Sequence, residues 1–288
     1  MMLEDQIAWN RRKSYLLLFI VPVILLALIF VSGSIFVPRA SPFLILAAGS
    51  GISVLYVLFS YFKSDEMILS VVGAEPADRE KHDQLYDLME GLTISSGMEM
   101  PELYVQDKPG INAFATGRKP EDGKVCVTAG ALEKLDQDEL EGVLAHELAH
   151  IQNYDILFMT VAVALIGVIS ILSELLLHSM YFGGDDNSPP WLVVAGFALA
   201  ILAPISARMV QLAMSRKREY LADASGAQMT RYPEGLASAL EKIQNENSSM
   251  KVNKAVSHLY FSNPLGNKKN FFSTHPPLEQ RIERLRNM

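Results

Sequence analysis

The sequence predicts a mainly α-helical membrane protein: four helices crossing the bilayer, and a small cytoplasmic α+β domain, containing a small β-sheet, assembled from the segments between and after them. Three observations carry this. Hydrophobic residues make up 50 % of the chain. They are gathered into four uncharged or nearly uncharged blocks instead of recurring at helix or strand period. Between and after the blocks the chain returns to an ordinary polar mix with turn signals. The net charge is −7, and no basic stripe interleaved with aromatic residues occurs, so the electrostatic footprint of nucleic-acid binding is missing. The single cysteine, Cys126, has no internal partner and is expected as an inert buried thiol, since a chain of 288 residues can bury a core without disulfides.

The first block runs from Tyr15 to Val37 and the second from Phe43 to Phe62. Each can cross ~30 Å of hydrocarbon as a helix of about 20 residues. The third runs from Ile156 to Leu177, interrupted by Glu174, and the fourth from Trp191 to Ala207, continuing amphipathically past Arg208. The uncharged part of the fourth reaches only ~25 Å at helical rise, and Pro204 is placed to bend it. Arg11, Arg12 and Lys13 before the first block fit the start of a signal peptide. Its apolar core, however, exceeds the usual length of about 7–15 residues and no small-x-small cleavage site follows, so this block is expected as a retained anchor.

Arg11, Arg12 and Lys13 flank one end of this array and Arg216, Lys217 and Arg218 the other, whereas the link SMYFGGDDNSPP between the third and fourth blocks has two aspartates and no lysine or arginine. The positive-inside bias then places both termini and the segment from Lys63 to Asp155 in the cytoplasm. The expected organisation is residues 1–62 with two transmembrane helices, 63–155 as one cytoplasmic subdomain, 156–215 as a transmembrane hairpin and 216–288 as a second cytoplasmic subdomain.

Within 63–155, Leu85, Leu88, Met89 and Leu92 recur at spacings of three and four and predict an amphipathic helix from about Arg79. ELYVQD (Glu102–Asp107), NAFATG (Asn112–Gly117) and KVCVTAG (Lys124–Gly130) are short, rich in β-formers and separated by Gly, Pro and Asp, which predicts the small sheet. Asp136 followed by Glu139 reads as an aspartate variant of the capping box, opening a helix.

That helix carries His146-Glu147-Leu148-Ala149-His150. Residues i and i+4 share a helix face, so both histidines can aim a ring nitrogen at one Zn²⁺, with Glu147 beside them placed to act on a water there. A catalytic zinc takes three protein ligands and keeps one position open. The extended HExxHxxGxxH pattern is excluded by Asn153 and Ile156, which leaves Glu219, Asp223, His258 and His275 as candidates, with Asp155 nearby. Two predicted spans lie between His150 and Glu219, so the chain goes out and returns, and both residues end on the same face of the membrane. A closed structural site would need a fourth protein ligand, and no cysteine cluster exists to supply it. An extended substrate would pair with NAFATG as an edge strand, making Asn112 a substrate-side residue.

Taken together, two leading spans, NAFA at Asn112–Ala115, HELAH followed by Asp155, a span pair, REYLAD at Arg218–Asp223 and STHPP at Ser273–Pro277 resemble the HtpX-type (heat-shock protein X) membrane metalloproteases, relatives of the CAAX prenyl proteases. The CAAX enzymes have more spans and are the weaker match. The resemblance implies a zincin-like, gluzincin protease domain with one Zn²⁺ per chain, Glu219 as the third ligand and Asp223 supporting a ligand histidine. It further implies His275 near the scissile carbonyl, with Arg281 as its companion on the substrate side. The family implies a multi-pass enzyme of a bacterial or archaeal inner membrane. Such an enzyme faces the cytoplasm and cleaves misfolded or damaged membrane proteins, or unfolded polypeptides, in stress-linked quality control.

Overall fold

The computed structural model describes residues 39–159, 216–246, 260–261 and 276–288, with single positions between 12 and 37. The expected third and fourth membrane helices beyond residue 159, the link between them, His258 and His275 lie outside the described residues. Two compact units are formed, one from Arg12–Ser64 and Val161–Ala213, the other from Met1–Arg11, Asp65–Thr160 and Met214–Met288.

In the first of these units, helix α1 (Pro42–Val72) contains the whole second apolar block. The Ser41 hydroxyl accepts from the Leu44 amide at its start. Phe43, Leu44, Leu55, Phe59 and Phe62 are exposed, the distribution of a helix whose outer face meets lipid, and among the described residues α1 is the one helix long and apolar enough to cross a membrane. Single described positions in the first block are helical and pack on it: a Cβ at Gly49 would lie 3.1 Å from side-chain atoms of Leu26 and Ile29.

The helix runs past Phe62, where the apolar block ends, to Val72. Its charged last turns belong to the second unit. There Asp65 pairs with Lys124 at 2.9 Å, both nearly buried, so the charge is turned inward onto the sheet and does not end the helix. Gly73, at φ +68°, stops it in the left-handed region that glycine occupies without Cβ strain.

The sheet has strands β1 (Ala74–Pro76), β2 (Glu102–Gln106), β3 (Ala113–Thr116) and β4 (Lys124–Thr128) in the order β1-β2-β4-β3. β2 and β4 are parallel, and the other pairs are antiparallel. The three β-rich segments of the sequence are thus strands; β1, three residues with a proline, carries no pattern that would announce it. Helix α2 (Asp83–Ser96) buries Leu85, Leu88, Met89 and Leu92 as their spacing predicts. It starts four residues later than expected, because the Asp78 carboxylate accepts from the Glu80 amide and Asp78 O from the His82 amide, folding residues 78–82 into a turn.

Thr128 caps a short helix, α3 (Ala129–Lys134), which leads into α4 (Gln137–Gln152). The capping box is complete: the Glu139 amide donates to Asp136 Oδ1 at 3.0 Å and the Asp136 amide to Glu139 Oε2 at 2.8 Å. α4 is the central element, packed against β3, β4, α2, α5 (Arg216–Thr230) and α6 (Pro233–Glu246). It contributes Leu140, Val143, Leu144 and Leu148 to a core shared with Leu103, Val125 and Val127 of the sheet and Leu240 of α6. Glycines set two of these approaches. A Cβ at Gly142 would fall 2.6 Å from the Leu236 amide nitrogen, and one at Gly226 would fall 3.0 Å from the His146 amide nitrogen. Helix α7 (Leu278–Arg286) closes the layer on α6, burying Arg281, Ile282 and Leu285.

Candidate metal centre and active site

His146 and His150 sit on the buried face of α4, at 0 % and 4 % exposure. Their Nε2 atoms stand 3.2 Å apart with ring planes at 88°, close to the ~3.4 Å that two imidazole nitrogens adopt on one tetrahedral Zn²⁺. From α5, held against α4 by Gly226, Glu219 brings Oε2 to 3.9 Å from His146 Nε2 and Oε1 to 3.7 Å from His150 Nε2. One ligand atom from each of the three lies within 4.8 Å of the others.

Each histidine has its far nitrogen on a carboxylate. His146 Nδ1 is 3.0 Å from Asp223 Oδ1, and His150 Nδ1 is 3.0 Å from Asp155 Oδ2. A carboxylate only accepts, so both rings carry hydrogen on Nδ1 and present the Nε2 lone pair inward. Two such lone pairs facing each other repel unless a cation or a proton lies between them. The donor set therefore fits a divalent ion of the zinc type.

Asp155 reaches His150 because the chain turns sharply after α4: Tyr154 is held at φ 58°, a left-handed conformation costly for a side chain with a Cβ, and residues 155–159 then resume as helix. Asp223 is gripped by Arg281, whose Nε and Nη2 donate to its two oxygens at 2.9 and 2.7 Å. The paired geometry is the strong bidentate form.

Burial lowers the His146 pKa to about 4, against the opposing pull of Asp223. For His150 burial acts in the same direction, but the Asp155 hydrogen bond and the charge of Glu219 outweigh it and raise the value to about 9. Glu147, 2 % exposed, is pushed up to about 7 by desolvation first, with Glu219 adding to it, while His150 opposes. It accepts from the Ala115 backbone, and its Oε1 is buried without a hydrogen-bond partner. A desolvated carboxylate with one unengaged oxygen beside three convergent ligands is equipped to take a proton from water.

Two further residues of the expected site, Arg281 and Asn112, lie buried. Arg281, expected on the substrate side, is fully buried, with Nη1 on Phe261 O in addition to its two bonds to Asp223. Asn112, expected as a substrate-side residue on the edge strand, is 1 % exposed, and its side-chain oxygen turns back to accept from the Ala113 amide at 3.1 Å, stiffening the start of β3. That strand is at the sheet edge as expected, but the Phe261 amide donates to Ala113 O at 2.8 Å, and the Phe261 ring packs edge-on to His146 with centroids 4.8 Å apart. Sequence reading missed Phe261, which lies in a stretch without periodicity. It also missed the pairing of Asp155 with His150, whose signal is the fixed offset of five residues. Cys126 is buried in β4, and desolvation pushes its thiol well above the usual range, as an inert thiol requires.

Residues 79–288 match the profile of peptidase family M48. The chain is 43 % identical to a protein described as Protease HtpX homolog from Dictyoglomus thermophilum, over 99 % of this chain and 94 % of that one. It is 40 % identical to a protein of the same description from Listeria monocytogenes serotype 4a over the full length of both. Among solved structures it resembles the crystal structure of S. mikatae Ste24p with a TM-score of 0.53 and 21 % identity, covering 95 % of this chain and 66 % of that one, a likeness of fold.

Proposed function

Because the chain belongs to peptidase family M48 and is a membrane-associated metalloprotease acting on polypeptides, we propose that its metal is one Zn²⁺ held by His146, His150 and Glu219, with Glu147 as the general base. The observation that carries this is the convergence of those three ligand atoms within 4.8 Å beside the unpartnered, buried Oε1 of Glu147. A zinc ion in that position supplies a Lewis acid that acidifies water and polarises a carbonyl. Glu147 takes the proton of the attacking water and returns it to the departing amine. Asp155 and Asp223 hold the imidazoles with Nε2 inward, and Arg281 holds Asp223, which is the support role we assign it in place of a substrate contact. His275 serves as the donor to the developing oxyanion, a role carried over from the family resemblance.

The substrates are extended or unfolded polypeptides, membrane proteins that have lost their structure foremost. A folded helix has no free backbone to lay along β3, whereas an unfolded segment competes with Phe261 for the carbonyl of Ala113. The distribution of Lys and Arg supports four spans with the site on the cytoplasmic side of a bacterial or archaeal inner membrane, in the four segments 1–62, 63–155, 156–215 and 216–288. The spacing in sequence supports a juxtamembrane position: His150 is six residues from the start of the third apolar block, a span of at most about 20 Å however the chain runs.

The test uses the full chain in detergent, stripped of metal and restored with one equivalent of Zn²⁺, acting on an unfolded model protein beside the Glu147→Gln variant. Zinc-dependent cleavage that disappears in a variant still binding zinc is the expected result. Zinc binding without cleavage by the wild type would refute the peptidase assignment of this centre.

A further inference from the structure

Among the described residues, the chemistry above leaves one buried cation without a task. Arg218 precedes Glu219 on α5 and is 8 % exposed. Its Nε lies 3.5 Å from Asp155 Oδ1, its guanidinium carbon lies 4.2 Å from the centre of the Phe158 ring, and its Nη2 is buried without a hydrogen-bond partner. A guanidinium taken out of water is strongly disfavoured unless a carboxylate compensates it, as for other buried ions. The carboxylates that compensate it are Asp155 first and Glu219 second; Asp155 is itself wholly buried, and its other oxygen receives His150 Nδ1.

The same order recurs across the site: His146, then Asp223, then Arg281. Each histidine is backed by a carboxylate and each carboxylate by an arginine, and in each case the arginine comes from a different element than the histidine. The two braces differ in tightness, since Arg281 grips Asp223 through two short hydrogen bonds and Arg218 faces Asp155 across a single 3.5 Å ion pair. Resting on the metal reading above, we propose that Arg218 is a positioning residue that acts through Asp155 to hold the His150 imidazole on the metal. Its stack on Phe158 also joins the helix after His150 to the helix that carries Glu219, so one side chain ties two ligand-bearing segments together.

Charge supplies a discriminating sign. Glu147, Asp155, Glu219 and Asp223 carry four negative charges when ionised; Arg218, Arg281 and a divalent ion carry four positive ones. Deleting Arg218 leaves one negative charge in excess, and a purely Coulombic role predicts tighter binding of a cation in the Arg218→Met variant. A positioning role predicts the reverse, weaker binding, because His150 is no longer held.

The measurement is zinc affinity of the full chain in detergent by chelator competition, with the visible spectrum of the Co²⁺-substituted protein and the kcat and KM of cleavage, for Arg218→Met, Arg218→Lys, Asp155→Asn and the Arg218→Met/Asp155→Asn double variant. We expect Arg218→Met to raise the zinc Kd on the order of tenfold, to shift the Co²⁺ bands and to lower kcat at unchanged KM. Arg218→Lys restores most of the affinity, and the double variant is no weaker than Asp155→Asn alone. An unchanged or lower Kd in Arg218→Met, or additive losses in the double variant, overturns the proposal. Should Arg218→Met not fold, Arg218→Gln, which keeps a polar head and loses the charge, decides in its place by weakening binding in the wild-type background and not beside Asp155→Asn. Wild-type protein that binds no zinc overturns the metal reading itself, a result distinct from a failure of Arg218 alone.

Discussion

His146 Nε2 and His150 Nε2 face each other across 3.2 Å while Asp223 and Asp155 engage the opposite nitrogens. In the metal-free protein at pH 7 this arrangement keeps His146 neutral, at about 4, and His150 protonated, at about 9. A metal ion needs both lone pairs and must displace that proton. Metal loading at pH 7 is therefore expected to release on the order of one proton per ion, and affinity to fall about tenfold for each pH unit below the His150 value. Calorimetry in buffers of different ionisation enthalpy measures the release, and binding without it would contradict the assignment of Nε2 as ligand.

Glu147→Gln keeps the shape of the side chain and removes its basicity. Activity is expected to fall by about 10²–10⁴-fold with zinc stoichiometry unchanged. In the metal-free protein Glu147 titrates at about 7, and a bound cation favours its charged form. The wild-type kcat/KM should then decline toward acid with its midpoint below 7, as protonation removes the base. A profile flat down to pH 5 would exclude Glu147 from that role.

Arg281 and Asp223 form a buried bidentate pair at 0 % and 3 % side-chain exposure. Arg281→Met strands the Asp223 carboxylate in the interior and is expected to destabilise the fold by about 3–5 kcal/mol, read from denaturant unfolding. Asp223→Asn cannot accept from His146 as a carboxylate does, and zinc affinity should drop roughly 10–100-fold. A rise in KM alone in Arg281→Met, with stability intact, would place Arg281 on the substrate side.

Two glycine replacements should move stability in opposite directions. Gly142→Ala drives a methyl group onto the Leu236 backbone and should cost about 1–3 kcal/mol by overpacking. Gly91 lies inside α2, where an added Cβ would meet nothing within 4 Å, and its replacement by alanine should gain about 0.5–1 kcal/mol, the helix-propensity difference. Thermal unfolding of the two variants checks the close approach of α4 and α6 directly.

What the sequence by itself determined is what short-range geometry encodes. The i and i+4 spacing of the histidines, the Asp136–Glu139 cap, the apolar stripe of α2 and the β-rich segments of the sheet each depend on residues a few positions apart. The apolar block from Phe43 to Phe62 is equally local, since it needs only length and the absence of charge. Helix spacing left open which carboxylate faces the histidines and which stands behind them; the family resemblance implied Glu219 and Asp223 in those places. In the tertiary structure the rotation of α5 against α4, set at Gly226, turns Glu219 toward both rings and Asp223 behind His146. Only the tertiary structure decided that Arg281 turns inward to Asp223, that Phe261 lies on the edge of β3, and that Arg218 meets Asp155. These contacts join residues about sixty to 150 positions apart, and their energies come from burial and charge pairing that exist only once the helices have packed, so no spacing in the chain announces them.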